Sequence, residues 1–161
     1  MDKIEVKSVI LNSPNDTELL GASIGRNLKG GELFELTSDL GGGKTTLTRG
    51  IVQGAGSHDH VSSPSFTIRN DYQAKDLSIA HFDFYRLSEP GILRDMLGEA
   101  ITNQDMAVII EWAQIVDDVL PTDHIKIELM PVSDKGRKAK ISYPHRFEYL
   151  FKGVNDANAV A

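Results

Sequence analysis

Leu36–Thr46 has the sequence Leu-Thr-Ser-Asp-Leu-Gly-Gly-Gly-Lys-Thr-Thr, with an apolar stretch before it and an apolar-periodic stretch after it. Its second half, Gly43-Lys44-Thr45, completes the phosphate-loop pattern Gly-x-x-x-x-Gly-Lys-Ser/Thr, whereas Ser38 occupies the position of the first glycine. Because glycine has no Cβ atom, the backbone N–H groups of such a loop turn inward around phosphate oxygens. The pattern predicts a strand over Glu32–Thr37, a phosphate-binding turn, and a helix over Lys44–Gln53.

The residue types of the loop indicate a nucleotide site that uses magnesium. Lys44 is expected to reach the β- and γ-phosphates, and Thr45 to supply a hydroxyl to Mg²⁺. The helix that begins near Lys44 adds the positive end of its dipole. A flexible glycine turn before an amphipathic helix is the alternative interpretation, and the flanking strand and helix favour the phosphate loop.

Two acidic residues are candidates for the magnesium site. Glu111 follows the continuous apolar run Met106–Ile110, which is typical of a strand buried on both faces. Asp83 lies in the segment His81–Arg86, where alternate residues of a strand would place His81, Asp83 and Tyr85 on one face. A solvated strand end at Glu111 and a merely polar strand face at Asp83 are the alternatives. Either carboxylate would serve to orient an attacking water.

The other segments alternate between strand and helix patterns around the phosphate loop. Their crossovers and hairpins predict an α/β fold of three layers, a P-loop NTPase fold, in which helices cover both faces of a mixed, mostly parallel sheet. We expect one domain over residues 1–154 and a frayed tail at Asn155–Ala161. Besides Glu32–Thr37, the predicted strands are Lys3–Leu11, Phe66–Tyr72, Leu77–Tyr85, Met106–Ile110, Ile125–Met130 and Arg137–Tyr143. The predicted helices are one after the cap Ser13–Asp16, then Lys44–Gln53, Arg86–Ala100 (interrupted at Pro90-Gly91 and Gly98) and Trp112–Leu120.

Composition excludes several classes of protein. The 161 residues carry a net charge of −6 and no cysteine, which argues against disulfides, thiolate zinc sites and an autonomous grip on nucleic acid. The sequence has no apolar run of membrane-spanning length and no signal-peptide core, so a cytoplasmic protein without membrane association is expected. His58 and His60 lack a third metal ligand nearby. No Asn-Lys-x-Asp element is present, and this favours adenine over guanine by elimination.

Several motifs, in order, resemble those of the TsaE family, whose members support tRNA threonylcarbamoyladenosine (t6A) synthesis. The resemblance extends from about Asp16 to Arg137. The matching segments are Asp39–Gly50 (phosphate loop), Ser63–Thr67 (Ser-Pro-Thr-aromatic-Thr), His81–Leu87 (His-x-Asp-x-Tyr-Arg-Leu), Ile109–Trp112 (Glu-Trp strand end), Leu120-Pro121 and Gly136-Arg137. Ser38 replaces the family's usual glycine, Gly42 a usual alanine and Ser65 a usual threonine.

The resemblance implies ATP and Mg²⁺ as cofactors and a weak ATPase activity that partner proteins stimulate. It places Mg²⁺ at Thr45 and Glu111 with Asp83 close by, Trp112 near the nucleotide, Gly136 at the edge of its pocket, and a γ-phosphate-sensing loop at Ser62–Phe66. The implied partners are TsaD and TsaB, with tRNA contacted only through that complex. A P-loop kinase of a small metabolite and a non-catalytic nucleotide-binding module are the alternatives. The phosphate contacts implied are Asp39, Leu40, Gly41, Gly42, Gly43, Lys44, Thr45 and Thr46.

Overall fold

The computed structural model describes residues 2–39, 41, 43–65 and 67–154. Leu40, Gly42, Phe66 and the tail predicted to fray, Asn155–Ala161, lie outside the described residues. Within the described ranges the strands are β1 Ile4–Leu11, β2 Leu33–Thr37, β3 Arg69–Gln73, β4 Ser78–Asp83, β5 Met106–Glu111, β6 Ile125–Pro131 and β7 Arg137–Pro144. The helices are α1 Pro14–Gly25, α2 Lys44–Gly54 and α3 Leu93–Thr102, with 3-10 helices at Ala113–Val116 and His145–Phe151.

The strands form one mixed sheet in the order β1-β7-β6-β2-β5-β4-β3. The four neighbouring strands β6, β2, β5 and β4 are parallel, and the outer strands add antiparallel pairs. A mixed sheet was predicted and is confirmed. The described strands make three parallel and three antiparallel pairings, and the parallel pairings lie together in the middle of the sheet. The carboxyl ends of the parallel strands therefore meet at one edge of the sheet.

Helices cover both faces of the sheet, which confirms the three-layer prediction. Helices α1 and α2 and the 3-10 helix His145–Phe151 pack on one face, and α3 and Ala113–Val116 pack on the other. Strand β5 lies between these layers: Ala107 and Ile109 join the first core cluster, Val108 and Ile110 the second. This double burial explains the unbroken apolar run in its sequence. Within the described ranges, no helix is both long enough and apolar enough to cross a membrane.

Helices α1 and α2 approach each other so closely that their backbones touch. A Cβ atom built on Gly50 of α2 would lie 2.2 Å from the carbonyl oxygen of Glu18, and one on Gly21 of α1 would lie 2.4 Å from the carbonyl oxygen of Leu47. Neither position has room for a side chain. The contact fixes α2, and with it Lys44 at its first residue, against the rest of the domain.

Two helix predictions require correction. Residues 86–92 are not helical: α3 begins at Leu93, after Pro90 and after Gly91, whose φ of +54° is outside the helical range. Gly98 does not interrupt α3, which continues to Thr102. The helix predicted over Trp112–Leu120 is reduced to the single 3-10 turn Ala113–Val116. Trp112 before it has a left-handed backbone conformation, and turns follow over residues 117–119.

Candidate active site

A cleft of about 290 Å³ lies at the carboxyl edge of the parallel strands. It brings together Lys44, Thr45, Asp83, Glu111 and Trp112, which the sequence predicted as one site from three separate segments. Its described lining is Gly41, Gly43, Lys44, Thr45, Thr46, Ser63, Ser65, Asp83, Tyr85, Glu111 and Trp112. The cleft is therefore polar, and the Lys44 ammonium and the carboxylates of Asp83 and Glu111 all line it.

The phosphate loop has the backbone conformation that its glycines permit. Gly41 has a φ of +76° and Gly43 a φ of +102°, both in the left-handed region that favours glycine. Gly43 caps α2 without any side-chain hydrogen bond, so the N–H groups of the first helical turn are free to meet an anion. Ser38 is not among the positive-φ residues, so serine at the first-glycine position carries no left-handed strain.

Ser38 instead has a direct contact with the catalytic candidate Lys44. The buried Lys44 ammonium donates to the Ser38 hydroxyl at 3.0 Å, and that hydroxyl donates to the backbone carbonyl of Asp39 at 2.8 Å. Lys44 Nζ also lies 5.0 Å from the centroid of the Trp112 ring, within cation–π range. Two side chains therefore hold the lysine in the cleft before any phosphate binds.

The two carboxylates end neighbouring parallel strands at the same register. Asp83 of β4 is paired with Glu111 of β5, and each is only 3% exposed. Asp83 accepts hydrogen bonds from the Ser65 hydroxyl at 2.9 Å and from the backbone N–H of Tyr85 at 2.9 Å. Glu111 Oε2 accepts from His81 Nε2 at 2.6 Å. Buried carboxylates are stable only when such donors or a cation compensate their charge.

The donor set of the cleft fits magnesium rather than a metal that needs an all-protein cage. Within the described ranges no group of three or more histidine or acidic side chains is arranged to hold a metal ion. The cleft offers two carboxylates, Asp83 and Glu111, and the hydroxyl of Thr45. Mg²⁺ is commonly held by one or two carboxylates together with substrate phosphates and water. The residues present therefore fit Mg²⁺ bound jointly with a nucleotide.

Trp112 lies in the wall of the cleft in a conformation that few residues other than glycine adopt. Its backbone has φ 57° and ψ 55°, and its ring lies 4.7 Å, centroid to centroid, from that of Tyr85. A left-handed non-glycine residue costs on the order of 1 kcal/mol and persists where its surroundings over-determine it. The conformation turns the chain sharply after Glu111 and leaves the ring beside Lys44.

The loop before β3 contributes two serines to the cleft. Ser63 and Ser65 both line it, and their hydroxyls are 2.8 Å apart. The carbonyl of Ser62 accepts hydrogen bonds from Asn70 Nδ2 and from the Tyr72 hydroxyl, each at 3.2 Å. Burial raises the pKa of Tyr72, so its hydroxyl remains a donor. The loop predicted to sense the γ-phosphate therefore meets Asp83 directly through Ser65; its last residue, Phe66, lies outside the described residues.

Two predicted nucleotide contacts are placed away from this lining. Asp39 is exposed and lines a different depression, with Ser38 and the end of β6. Gly136 is buried directly before β7, and its neighbours Lys135 and Arg137 line a second cleft of about 170 Å³. That second cleft shares Gly41, Gly43 and Thr46 with the first. The phosphate loop thus separates two adjoining spaces. Leu40 and Gly42 lie outside the described residues.

Sequence reasoning missed two groups of residues. His81 was placed on the face of Asp83, yet its pairing with Glu111 was not predicted, because the contact joins residues 30 positions apart. The second cleft is also lined by Pro14, Thr17, Asp134 and Lys135, which carry no motif, and by Arg137 of the matching pair Gly136-Arg137. The basic residues on either side of Gly136 were the available signal, since their side chains could contact a phosphorylated ligand.

Comparisons with known proteins agree on one family. The family model described as threonylcarbamoyl adenosine biosynthesis protein TsaE matches residues 11–139. The tRNA threonylcarbamoyladenosine biosynthesis protein TsaE of Haemophilus influenzae is 40% identical over 94 residues, 58% of this chain and 60% of that protein. The chain thus spans less than two thirds of that relative. The protein of the same name from Bacillus subtilis is 31% identical over 140 residues, 86% of this chain and 87% of its own.

A solved structure supports the fold. The crystal structure of Bacillus subtilis YdiB superimposes with a TM-score of 0.73, covering 95% of this chain and 96% of that one, at 24% identity. The family model matches well over half of the chain, and the matched residues include the phosphate loop, Asp83, Glu111 and Trp112. The chain belongs to the TsaE family.

Proposed function

We propose that the protein is a cytoplasmic P-loop ATPase that binds ATP with Mg²⁺ and assists tRNA t6A synthesis together with TsaD and TsaB. One observation carries this proposal: the buried Lys44, Asp83 and Glu111 converge with the partly exposed Thr45 on a single cleft at the N-terminus of α2. Membership of a family named for threonylcarbamoyladenosine biosynthesis supports the pathway.

The residues of the cleft have distinct tasks in this proposal. The N–H groups at the start of α2 and the Lys44 ammonium hold the β- and γ-phosphates and cancel their charge. Thr45, Asp83 and Glu111 would hold Mg²⁺, which supplies further positive charge to the triphosphate. A water molecule for hydrolysis finds its hydrogen-bond acceptors in Asp83 and Glu111. Catalysis of this kind depends on positioning and electrostatic stabilisation more than on covalent chemistry.

The second cleft is suited to the nucleoside part of ATP. It adjoins the phosphate loop through Gly41, Gly43 and Thr46. Its other described walls are formed by Pro14, Thr17, Asp134, Lys135 and Arg137. In this proposal Gly136 shapes the nucleotide pocket from behind, since its backbone N–H is fixed by the Ser133 hydroxyl at 2.8 Å. ATP would then pass across the phosphate loop, with its base on one side and its γ-phosphate on the other.

Slow hydrolysis by the isolated protein is expected. The described lining of the main cleft contains Lys44 but no arginine that would stabilise the transition state. The net charge of −6 also disfavours direct binding of tRNA by this protein alone, so in this proposal tRNA is contacted through TsaD and TsaB.

The test is ATP hydrolysis with and without purified TsaD–TsaB, using Lys44→Ala as the control. We expect slow turnover alone, faster turnover in the complex, and loss of ATP binding in the variant. Equal turnover with and without the partners would contradict the partner-stimulated ATPase, and binding without phosphate release in either case would indicate a non-catalytic nucleotide module. Normal ATP binding by Lys44→Ala would remove the phosphate-loop assignment.

A further inference from the structure

A buried histidine behind the cleft engages one of the two carboxylates. His81 is fully buried, and its Nε2 atom lies 2.6 Å from Oε2 of Glu111, which is itself 3% exposed. The other carboxylate oxygen, Oε1, accepts no hydrogen bond from a described residue, and Glu111 lines the cleft. The histidine therefore occupies one oxygen of Glu111 and leaves the other for a ligand.

The position of His81 is fixed by the sheet. In the parallel β4–β5 pair His81 is opposite Ile109 and Asp83 is opposite Glu111, so His81 reaches Glu111 diagonally on the same face. The Tyr72 ring lies 6.5 Å from the imidazole, centroid to centroid. The imidazole Nδ1 is buried and has no partner within the described ranges, so Glu111 is the residue that His81 engages. A ring packed in this way cannot follow Glu111 if the carboxylate rotates.

We propose that His81 is a positioning residue that orients Glu111 for Mg²⁺ in the nucleotide complex. This inference rests on the proposed function, since it concerns the metal that accompanies ATP. Carboxylates that bind metals are held by hydrogen bonds from behind, and loss of such a partner lowers metal affinity by about 10- to 100-fold. His81 is fully buried and is not part of the described lining of the cleft, so its effect on Mg²⁺ would pass through Glu111.

The test compares two neutral amides that differ in reach. Glutamine at position 81 places its Nε2 atom near that of the histidine, whereas asparagine ends at the position of Nδ1. His81→Gln, His81→Asn and His81→Leu are titrated by calorimetry with a non-hydrolysable ATP analogue, once with saturating Mg²⁺ and once with EDTA. The ratio of the two dissociation constants measures the contribution of Mg²⁺ to binding, independently of turnover. Circular dichroism melting curves identify variants that are folded.

The expected result separates the variants by Mg²⁺ dependence. In His81→Asn and His81→Leu the affinity with Mg²⁺ falls by about tenfold or more while the affinity in EDTA stays near that of the unmodified protein; His81→Gln retains most of the Mg²⁺ effect. Equal Mg²⁺ effects in the glutamine and asparagine variants would overturn the proposal. The comparison of these two variants remains decisive even if the leucine variant does not fold. An unmodified protein that binds the analogue equally with and without Mg²⁺ also overturns it. Failure to bind the analogue at all would defeat the proposed function itself.

Discussion

Adding one methyl group at Gly50 should separate helices α1 and α2. The new Cβ atom would lie 2.2 Å from the carbonyl oxygen of Glu18 and 3.0 Å from the Cα atom of Gly21, both backbone atoms that cannot rotate away. Ordinary van der Waals contact requires the helices to move apart by about 1 Å. Overpacking of this kind costs up to about 3 kcal/mol. The higher helix propensity of alanine offsets about 1 kcal/mol, which leaves Gly50→Ala less stable by about 2 kcal/mol.

The same substitution at Gly98 provides a matched control. Gly98 lies inside α3, and a Cβ atom built there meets no atom within 4 Å outside its own helix backbone and chain neighbours. Gly98→Ala should therefore gain about 1 kcal/mol from helix propensity alone. Urea denaturation followed by circular dichroism measures both variants against the unmodified protein. In thermal melts we expect Gly50→Ala to lose about 4–8 °C and Gly98→Ala to gain about 2–4 °C.

The sign of the difference between the two variants is the critical result. If Gly50→Ala proved as stable as Gly98→Ala, the close backbone contact between α1 and α2 would not exist in solution. If both variants were destabilised equally, the cost would come from the conformation of the helices and not from packing between them.

Three further predictions concern the cleft and the sheet. The fluorescence emission of Trp112, the only tryptophan, should change when ADP or ATP binds, because its ring lies beside Lys44. The spectrum is measured at a nucleotide concentration that calorimetry shows to be saturating. An unchanged spectrum would exclude Trp112 from the pocket. Ser38→Ala should bind ATP about fivefold more tightly, since Lys44 no longer gives up a hydrogen bond worth about 1 kcal/mol, and weaker binding in calorimetry would refute this. A hydrogen bond from His124 lowers the pKa of Glu35 from its ordinary 4.5, so the stability that Glu35 contributes is complete above pH 4.5 and is lost as the pH falls through its folded-state pKa. Glu35→Gln should therefore reduce the acid-side slope of the unfolding free energy in urea titrations, and an unchanged slope would contradict this.

The features predicted correctly from the sequence are those that depend on local pattern. The phosphate loop has a motif, a strand before it and a helix after it, so β2 and α2 follow from neighbouring residues. The apolar run of β5 indicated a central strand, and the hairpin signals indicated β3–β4 and β6–β7. Parallel strands end at a common edge, and this is why Asp83 and Glu111 could be expected in one site.

The features that were missed depend on contacts between distant segments. Whether Trp112 continues a helix is decided by its position beside Lys44 and Tyr85, and not by the propensities of Trp112–Leu120. The pairing of His81 with Glu111 requires the register of two strands that α3 separates. Ser38 departs from the motif, and only the structure gives its hydroxyl a partner in Lys44. Local sequence carries no signal for such pairings.

The pairing of β1 with β7 has a consequence for synthesis of the chain. Among the described strands, β1 is made first and its partner β7 last. Until β7 is made, β1 lacks the strand that pairs with its edge. Its residues Ile4, Val6 and Ile10 add apolar surface that stays exposed even after pairing, and unpaired strands of this kind are prone to aggregate. Translation that stops before β7 is complete would therefore leave β1 as an unpaired, partly apolar strand that is prone to aggregate.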